Sequence, residues 1–256
     1  MFFIFNFIDQ FITMSLILTI DSGNTQIKAG LFKDGHLVSC SNMTIEEIIE
    51  KYPDPSARVM ICSVSREKEI FDKILKYYTS ATILDSTTPV PVKIHYETPH
   101  TLGMDRLAAT VGASYLKPGK SCLIIDAGTC ITYDLVDEKG NYYGGGISPG
   151  LSIRFKSLHS FTARLPLISW TSGNGDEEIE LTGRNTTNSI LSGVLVGAVA
   201  EIEGIVQRYK IRYQELEVFL CGGDSSYFES KIKPSIFAVP ELVHWGLYRI
   251  VKHNES

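Results

Sequence analysis

The stretch LILTIDSGNTQIKAGLFKDGHLV, which opens at Leu16, returns in the second half of the chain as CLIIDAGTCITYDLVDEKGNYYGG, from Cys122. Laid over each other at one constant offset, Leu18 falls on Leu123, Ile20 on Ile125, Asp21 on Asp126, Gly23 on Gly128 and Gly35 on Gly140. Each copy is a short apolar run, then Asp-x-Gly, then a hairpin turn at the same distance. Asp-x-Gly alone recurs by chance, but the matched turn makes coincidence a poor account. A chain built this way folds as two copies of one unit. Each copy drives a carboxylate to the tip of a buried strand, where it is costly unless a cation or hydrogen-bond donors meet it.

Around these copies the pattern alternates strands with helices, which argues for an α/β protein. Residues 15–20 and 57–64 read as buried strands, with a third strand in ATILD. Asp34-Gly35 is a two-residue hairpin signal. TIEEIIEKY (44–52) reads as a short amphipathic helix, the run SREKEIFDKILKYY as a second, and MDRLAATVGASYL (104–116) as a third. Between ATILD and that third helix lies a proline-rich loop. KPGKS (117–121) reads as a linker, a long small-residue helix covers roughly 187–210, a strand leads into CGGD (221–224), and a C-terminal helix closes the chain. The expected division is 1–13 as an N-terminal extension, 14–117 as the first domain and 118–256 as the second.

Composition narrows the function classes. Of 256 residues, 44% are hydrophobic, enough for a substantial core, and the net charge is only −5. No basic stripe emerges, so a nucleic-acid partner is not expected. The five cysteines are scattered without C-x-x-C spacing, as in reduced thiols of a cytoplasmic protein rather than a zinc site or disulfide framework. The apolar start MFFIFNFIDQFIT lacks a basic n-region and a small-residue cleavage site, carries Asp9, and is too short to span a bilayer. Neither membrane attachment nor secretion is expected, and Met14 stands as the expected functional start.

Asp21-Ser22-Gly23-Asn24-Thr25 combines backbone N–H groups at a glycine corner with amide and hydroxyl side chains, a cradle suited to phosphate oxygens. Asp21 would repel a phosphate unless hydrated Mg²⁺ stood between them, and Lys28 on the returning strand can add a compact positive charge. The bland reading is a plain hairpin. Asp126-Ala127-Gly128-Thr129 repeats the arrangement, and the runs GGGISPG (144–150) and CGGD offer close backbone approach or simple loop punctuation. No P-loop or strand-linked G-x-G-x-x-G is present. Asp105-Arg106 follows Gly103 where the proline-rich loop enters a helix. Its carboxylate can take a proton from an attacking alcohol and its guanidinium can bind an anionic group. A helix-start Asp beside a surface Arg is the competing reading. The six histidines show no metal spacing; His95 and His100 read as loop residues, and LHSFTARLP (158–166) as structural.

Taken together, Asp21-x-Gly-Asn-Thr-x-x-Lys28, Gly103-x-Asp-Arg106, Asp126-x-Gly-Thr129, Gly145-Gly-x-x-Pro-Gly150, TARLP, and Asn185-Thr186 leading to Gly193 resemble the type III pantothenate kinases over about residues 15 to 250. The resemblance implies duplicated ribonuclease-H-like domains of the sugar kinase/actin/heat-shock-protein superfamily, with mixed sheets flanked by helices. It implies ATP-dependent phosphorylation of pantothenate to 4′-phosphopantothenate, the opening step of coenzyme A biosynthesis, in a cytoplasmic homodimer. By position, Asp105 would be the general base. Asp21, Ser22, Gly23, Asn24, Thr25, Gln26, Ile27, Lys28 and Thr129 would hold ATP, and Tyr96, Gly103, Met104, Asp105, Arg106 and Thr186 would line the pantothenate pocket. Asp126 would coordinate a monovalent cation, K⁺ or NH₄⁺, beside Mg²⁺. Ser22 replaces a usual aliphatic residue and Cys221 a small hydroxylated one; neither touches a proposed chemical role. The alternatives are a relative acting on another alcohol or on polyphosphate, and a non-catalytic nucleotide-binding regulator.

Overall fold

A computed structural model describes residues 16–23, 26–63, 68–171, 179–232 and 235–255. The extension 1–13, Met14, Asn24 and Thr25 lie outside the described residues. The first copy of the repeat folds as β1 (Leu16–Ser22), β2 (Ile27–Lys33) and β3 (His36–Asn42). Asp34 and Gly35 both take positive φ (50° and 85°) at the tight turn, the primed geometry that matches strand twist. After α1 (Ile45–Lys51), capped reciprocally by Thr44 and Glu47, come β4 (Arg58–Ser63), α2 (Lys68–Tyr77) and β5 (Ser80–Ile83). The sheet order is β3-β2-β1-β4-β5, antiparallel from β3 to β1 and parallel from β1 to β5.

The second copy supplies β7 (Ser121–Ala127), β8 (Cys130–Val136) and β9 (Asn141–Pro149). Then follow α4 (Leu151–Ser160), α5 (Thr186–Leu191), a π-helical turn (Ser192–Val196), α6 (Gly197–Arg212), β10 (Leu216–Cys221), α7 (Ser225–Lys231) and β11 (Phe237–Ala238). Here β9-β8-β7-β10-β11 reproduces the order and directions of the first sheet, and β6 (Lys93–Ile94) adds to the β9 edge. The two repeats therefore share topology as well as sequence. The corner between the first two strands is one residue shorter in the second copy, where Ala127 pairs with Ile131 against Ser22 with Ile27. A longer β8–β9 turn restores the offset.

Several elements differ from the sequence reading. The proline-rich loop contributes β6 as a real strand. GGGISP (144–149) is the end of strand β9 rather than a loop, with Gly150 at the N-cap of α4, because Gly145 lies so close to β8 that a Cβ there would sit 1.5 Å from the Tyr133 carbonyl oxygen. The helix read over 187–210 spans Thr186–Arg212, interrupted by the π turn. It is long and apolar enough to cross a membrane by length and composition, yet it packs Ile190, Leu195, Ala198, Ile202 and Val206 against Leu123, Ile125, Val218 and Leu220 of the second sheet.

A matching apolar layer covers the far face of the first sheet, where Leu18 and Ile20 meet Ile45, Ile48, Phe71 and Ile74. Between the sheets lies a larger shared core, filled by α3 (Met104–Leu116) and α8 (Leu242–Asn254). These two helices cross backbone to backbone: a Cβ on Gly246 would stand 1.8 Å from the Ala108 carbonyl oxygen, and one on Gly112 2.3 Å from that of Leu242. Helix α3 packs on β7 and β8 of the second sheet and also reaches β4 of the first, and α8 packs on β1 and β4. His244 of α8 is buried against β1, its Nδ1 2.8 Å from the Thr19 hydroxyl. Burial holds that imidazole down at about 4, so it is neutral at pH 7.

Candidate active site

The buried central strand of each sheet ends in one of the repeated carboxylates. Asp21 stands in register between Lys28 on β2 and Cys62 on β4; Asp126 stands between Thr132 on β8 and Cys221 on β10. Past each acid the chain turns sharply, with Gly23 N–H donating to the Gln26 carbonyl (3.1 Å) and Gly128 N–H to that of Cys130 (2.9 Å). Ser22 is buried, Ile27 and Lys28 are half-buried, and Gly23, Gln26 and Thr129 are exposed at the corners.

Both glycine clusters dock on the second corner. A Cβ on Gly150 would lie 2.1 Å from the Gly128 carbonyl oxygen. Gly222, at φ +94°, would place one 2.4 Å from both the Ala127 oxygen and Asp126 Oδ1. Asp224 N–H donates to the Ala127 carbonyl at 2.8 Å. The tight backbone approach expected of these runs is present, and it builds the corner around Asp126.

Asp105 enters from a third element, the first turn of α3, whose N-cap is Gly103. Its Oδ1 accepts from the Arg106 N–H (2.9 Å) and lies where a Cβ on Gly103 would sit 2.5 Å away. The three acids feel one another. Burial pushes Asp21 up to about 6, the negative charge of Asp105 adds to this, and Lys28 opposes it. Burial raises Asp126 to about 7, reinforced by Asp105, Asp21 and Asp134. Asp105 is raised by burial against the Arg106 N–H and the Arg106 charge, with Asp134 raising it further. Three carboxylates at the ends of two central strands and a helix thus raise one another's proton affinity, an arrangement that a bound cation would relieve.

Its oxygen-only donors suit hard cations such as Mg²⁺ or K⁺. Among the described residues no three His, Cys, Asp or Glu side chains close on one point as a cage. A metal here would therefore complete its shell with water or ligand oxygens, as Mg²⁺ commonly does at phosphates.

Beside Asp105, Arg106 is buried, not the surface residue of the bland reading. Its Nε and Nη2 donate to Asp134 at 3.0 and 2.6 Å, and Tyr142 Oη donates to the same carboxylate at 2.8 Å. Burial works against the charged guanidinium, but the Asp134 hydrogen bonds and charge outweigh it and raise Arg106 above its ordinary value. The Tyr96 ring meets the guanidinium at 5.8 Å and rests on Gly144, whose φ of +83° and lack of Cβ make the slot. Met104 packs against the shared core. Thr186 is exposed at the start of α5, on an element separate from the acids. Sequence reasoning missed Asp134 and Tyr142; an aspartate inside the otherwise apolar CITYDLV is the signal that could have found the first.

A family model for type III pantothenate kinase matches residues 17–208. The chain is 40% identical over 239 residues to a type III pantothenate kinase of Cytophaga hutchinsonii, covering 93% of this chain and 99% of the relative. It is 42% identical over 246 residues to one of Phocaeicola vulgatus, with the same two coverages. Among solved structures, a conserved Baf family transcriptional activator from Campylobacter jejuni shares the fold, with a TM-score of 0.61 at 19% identity over 93% of this chain and 98% of that one. The sequence identity and the coverage agree with the duplicated α/β architecture: the chain belongs to the type III pantothenate kinase family.

Proposed function

We propose that this protein transfers the γ-phosphoryl group of ATP to the primary hydroxyl of pantothenate, giving 4′-phosphopantothenate at the opening of coenzyme A biosynthesis. The observation that carries this reading is the convergence of Asp21, Asp126 and Asp105, with Lys28 as the counter-charge. Residues 21–28 and Thr129 hold the nucleotide at the two corners. Lys28 offsets phosphate charge. Asp21 suits Mg²⁺ and Asp126 a monovalent cation, K⁺ or NH₄⁺; when bound, such cations neutralise the phosphates.

Asp105 accepts the alcohol proton as the oxygen attacks phosphorus. Its raised proton affinity suits a base, and the Arg106 N–H fixes one of its oxygens. Arg106, Tyr96, Gly103, Met104 and Thr186 form the pantothenate side. We take the enzyme to be a cytoplasmic homodimer with neither nucleic-acid nor membrane partners. The exposed face of the 186–212 helix, where Gly193, Gly197 and Gly204 leave open space, suits close packing of a second copy.

Coupled ADP detection with ATP, Mg²⁺, K⁺ and candidate alcohols tests the reading. Turnover that depends on pantothenate alone is expected. ATP consumption without pantothenate would point to another phosphotransfer, and nucleotide binding without turnover to a regulator.

A further inference from the structure

Asp134 carries a deeply buried carboxylate away from the two corners. It is only 1% exposed, in mid-strand on β8, and accepts three hydrogen bonds: two from Arg106 and one from Tyr142. A buried ion pair is poor evidence for stability, since well-packed apolar residues of similar volume serve a core as well or better. What the pair does provide is orientation. Two parallel N–H···O bonds fix both the position and the plane of a guanidinium. Here they tie the first turn of α3, which carries Asp105, to β8 and β9 of the second sheet.

The remaining contacts agree with an orienting role. The Arg106 carbonyl accepts from the Thr110 hydroxyl at 2.8 Å, holding the first turn in place. Tyr142 is fully buried, and its hydroxyl occupies the Asp134 oxygen that also takes Nη2, so the carboxylate cannot rotate without breaking a second bond. Asp134 engages Nε and one Nη2 hydrogen of the five guanidinium donors, and the rest of the fork borders Tyr96, whose ring lies 5.8 Å away and whose side chain is a further hydrogen-bond partner.

We propose that Asp134 and Tyr142 are positioning residues, which hold the Arg106 guanidinium so that its remaining donors meet an acceptor oxygen on the substrate alcohol. This rests on the reading of the protein as a pantothenate kinase. Neither residue touches substrate itself. Their effect passes through Arg106 and falls on the alcohol side of the site, leaving the nucleotide corners alone.

Steady-state kinetics with ATP and pantothenate varied separately test the assignment. Asp134→Asn should raise the pantothenate KM by about 10–100-fold, the loss expected of a charge-assisted hydrogen bond, with the ATP KM changed by less than about twofold. Tyr142→Phe leaves the ion pair intact and should shift the pantothenate KM in the same direction by a smaller factor; it reports even where Asp134→Asn fails to fold. In an Arg106→Gln background, Asp134→Asn should add less than about twofold, because the partner through which it acts is gone. Equal changes in both KM values, an unchanged pantothenate KM in Tyr142→Phe and Asp134→Asn, or full additivity in the Arg106→Gln background would each overturn the proposal. Wild-type enzyme that consumes ATP regardless of pantothenate would overturn the functional reading and this inference with it; a pantothenate-dependent wild type with variants of unaltered selectivity would overturn the inference alone.

Discussion

At the scale of single residues, the site is governed by three carboxylates whose burial favours the protonated form. Asp105→Asn keeps the shape and removes the proposed base. Turnover should fall by about 10²–10⁴-fold with nucleotide affinity retained, measurable by single-turnover assay beside nucleotide titration; a variant keeping most of its activity would remove Asp105 from its role. Gly103→Ala is expected to act through the same atom, since the new Cβ would meet Asp105 Oδ1 at 2.5 Å. Its kcat should drop while the thermal midpoint changes little. The raised acids also set a pH signature. Folded Asp126 titrates near 7 and Asp21 near 6, both well above the usual carboxylate value of 3.8. Between those limits the folded chain retains protons that the unfolded chain has released, so this contribution is present at pH 4 and lost as pH rises to 7. Without cations or nucleotide, Asp126→Asn should therefore melt higher than wild type at pH 8, and the gain should shrink toward pH 5. A difference in melting temperature that does not vary with pH would sink the assignment of strain to this carboxylate.

At the scale of elements, what matters is how closely backbones approach. Helices α3 and α8 cross at Gly112 and Gly246 with no room for a methyl group. Gly246→Ala should thus destabilise by about 1–3 kcal/mol through overpacking, even though alanine gains about 1 kcal/mol in intrinsic helix propensity. Urea denaturation would show a lower midpoint at unchanged slope; a higher midpoint would mean that the helices can part at little cost. The β9 glycines serve the same purpose against β8 and Tyr96. Periodicity could not reveal this. A glycine-rich run carries no apolar alternation, so GGGISPG reads as a loop until its neighbours are known. The two-residue strand β6 was illegible for a related reason, since its pairing partner is distant in sequence. By contrast, α3 runs over Met104–Leu116 as its pattern predicts, because its apolar faces and flanking Gly103 are local signals.

At the scale of the whole molecule, the duplication explains why two acidic corners exist. Like units end their central strands alike, and the shared core of α3 and α8 holds them together. Helix α8 belongs late in the chain but seals the first sheet, with the Thr19–His244 contact and the stack of Phe32 on Tyr248 (4.6 Å) at that junction. His244 is neutral at pH 7 and its Nε2 has no partner among the described residues. Protonating it would place an unpaired charge in the core. Its depressed titration, from 6.5 to about 4, contributes stability above pH 6.5 that fades as pH falls through 4. His244→Gln should flatten that acid limb of the stability profile measured by thermal melts; an unchanged limb would exclude the histidine as its source.

The repeat, the α/β class, the tips of both central strands and the composite motif are all local patterns, and the amino-acid order determined them unaided. So did the membership that those motifs imply. Which helix covers which sheet, that Arg106 turns inward to Asp134 rather than outward, and that Tyr142 joins them were settled only by the fold. Those contacts join residues on different elements. Their geometry comes from strand register and helix crossing, which depend on the packing of the entire core.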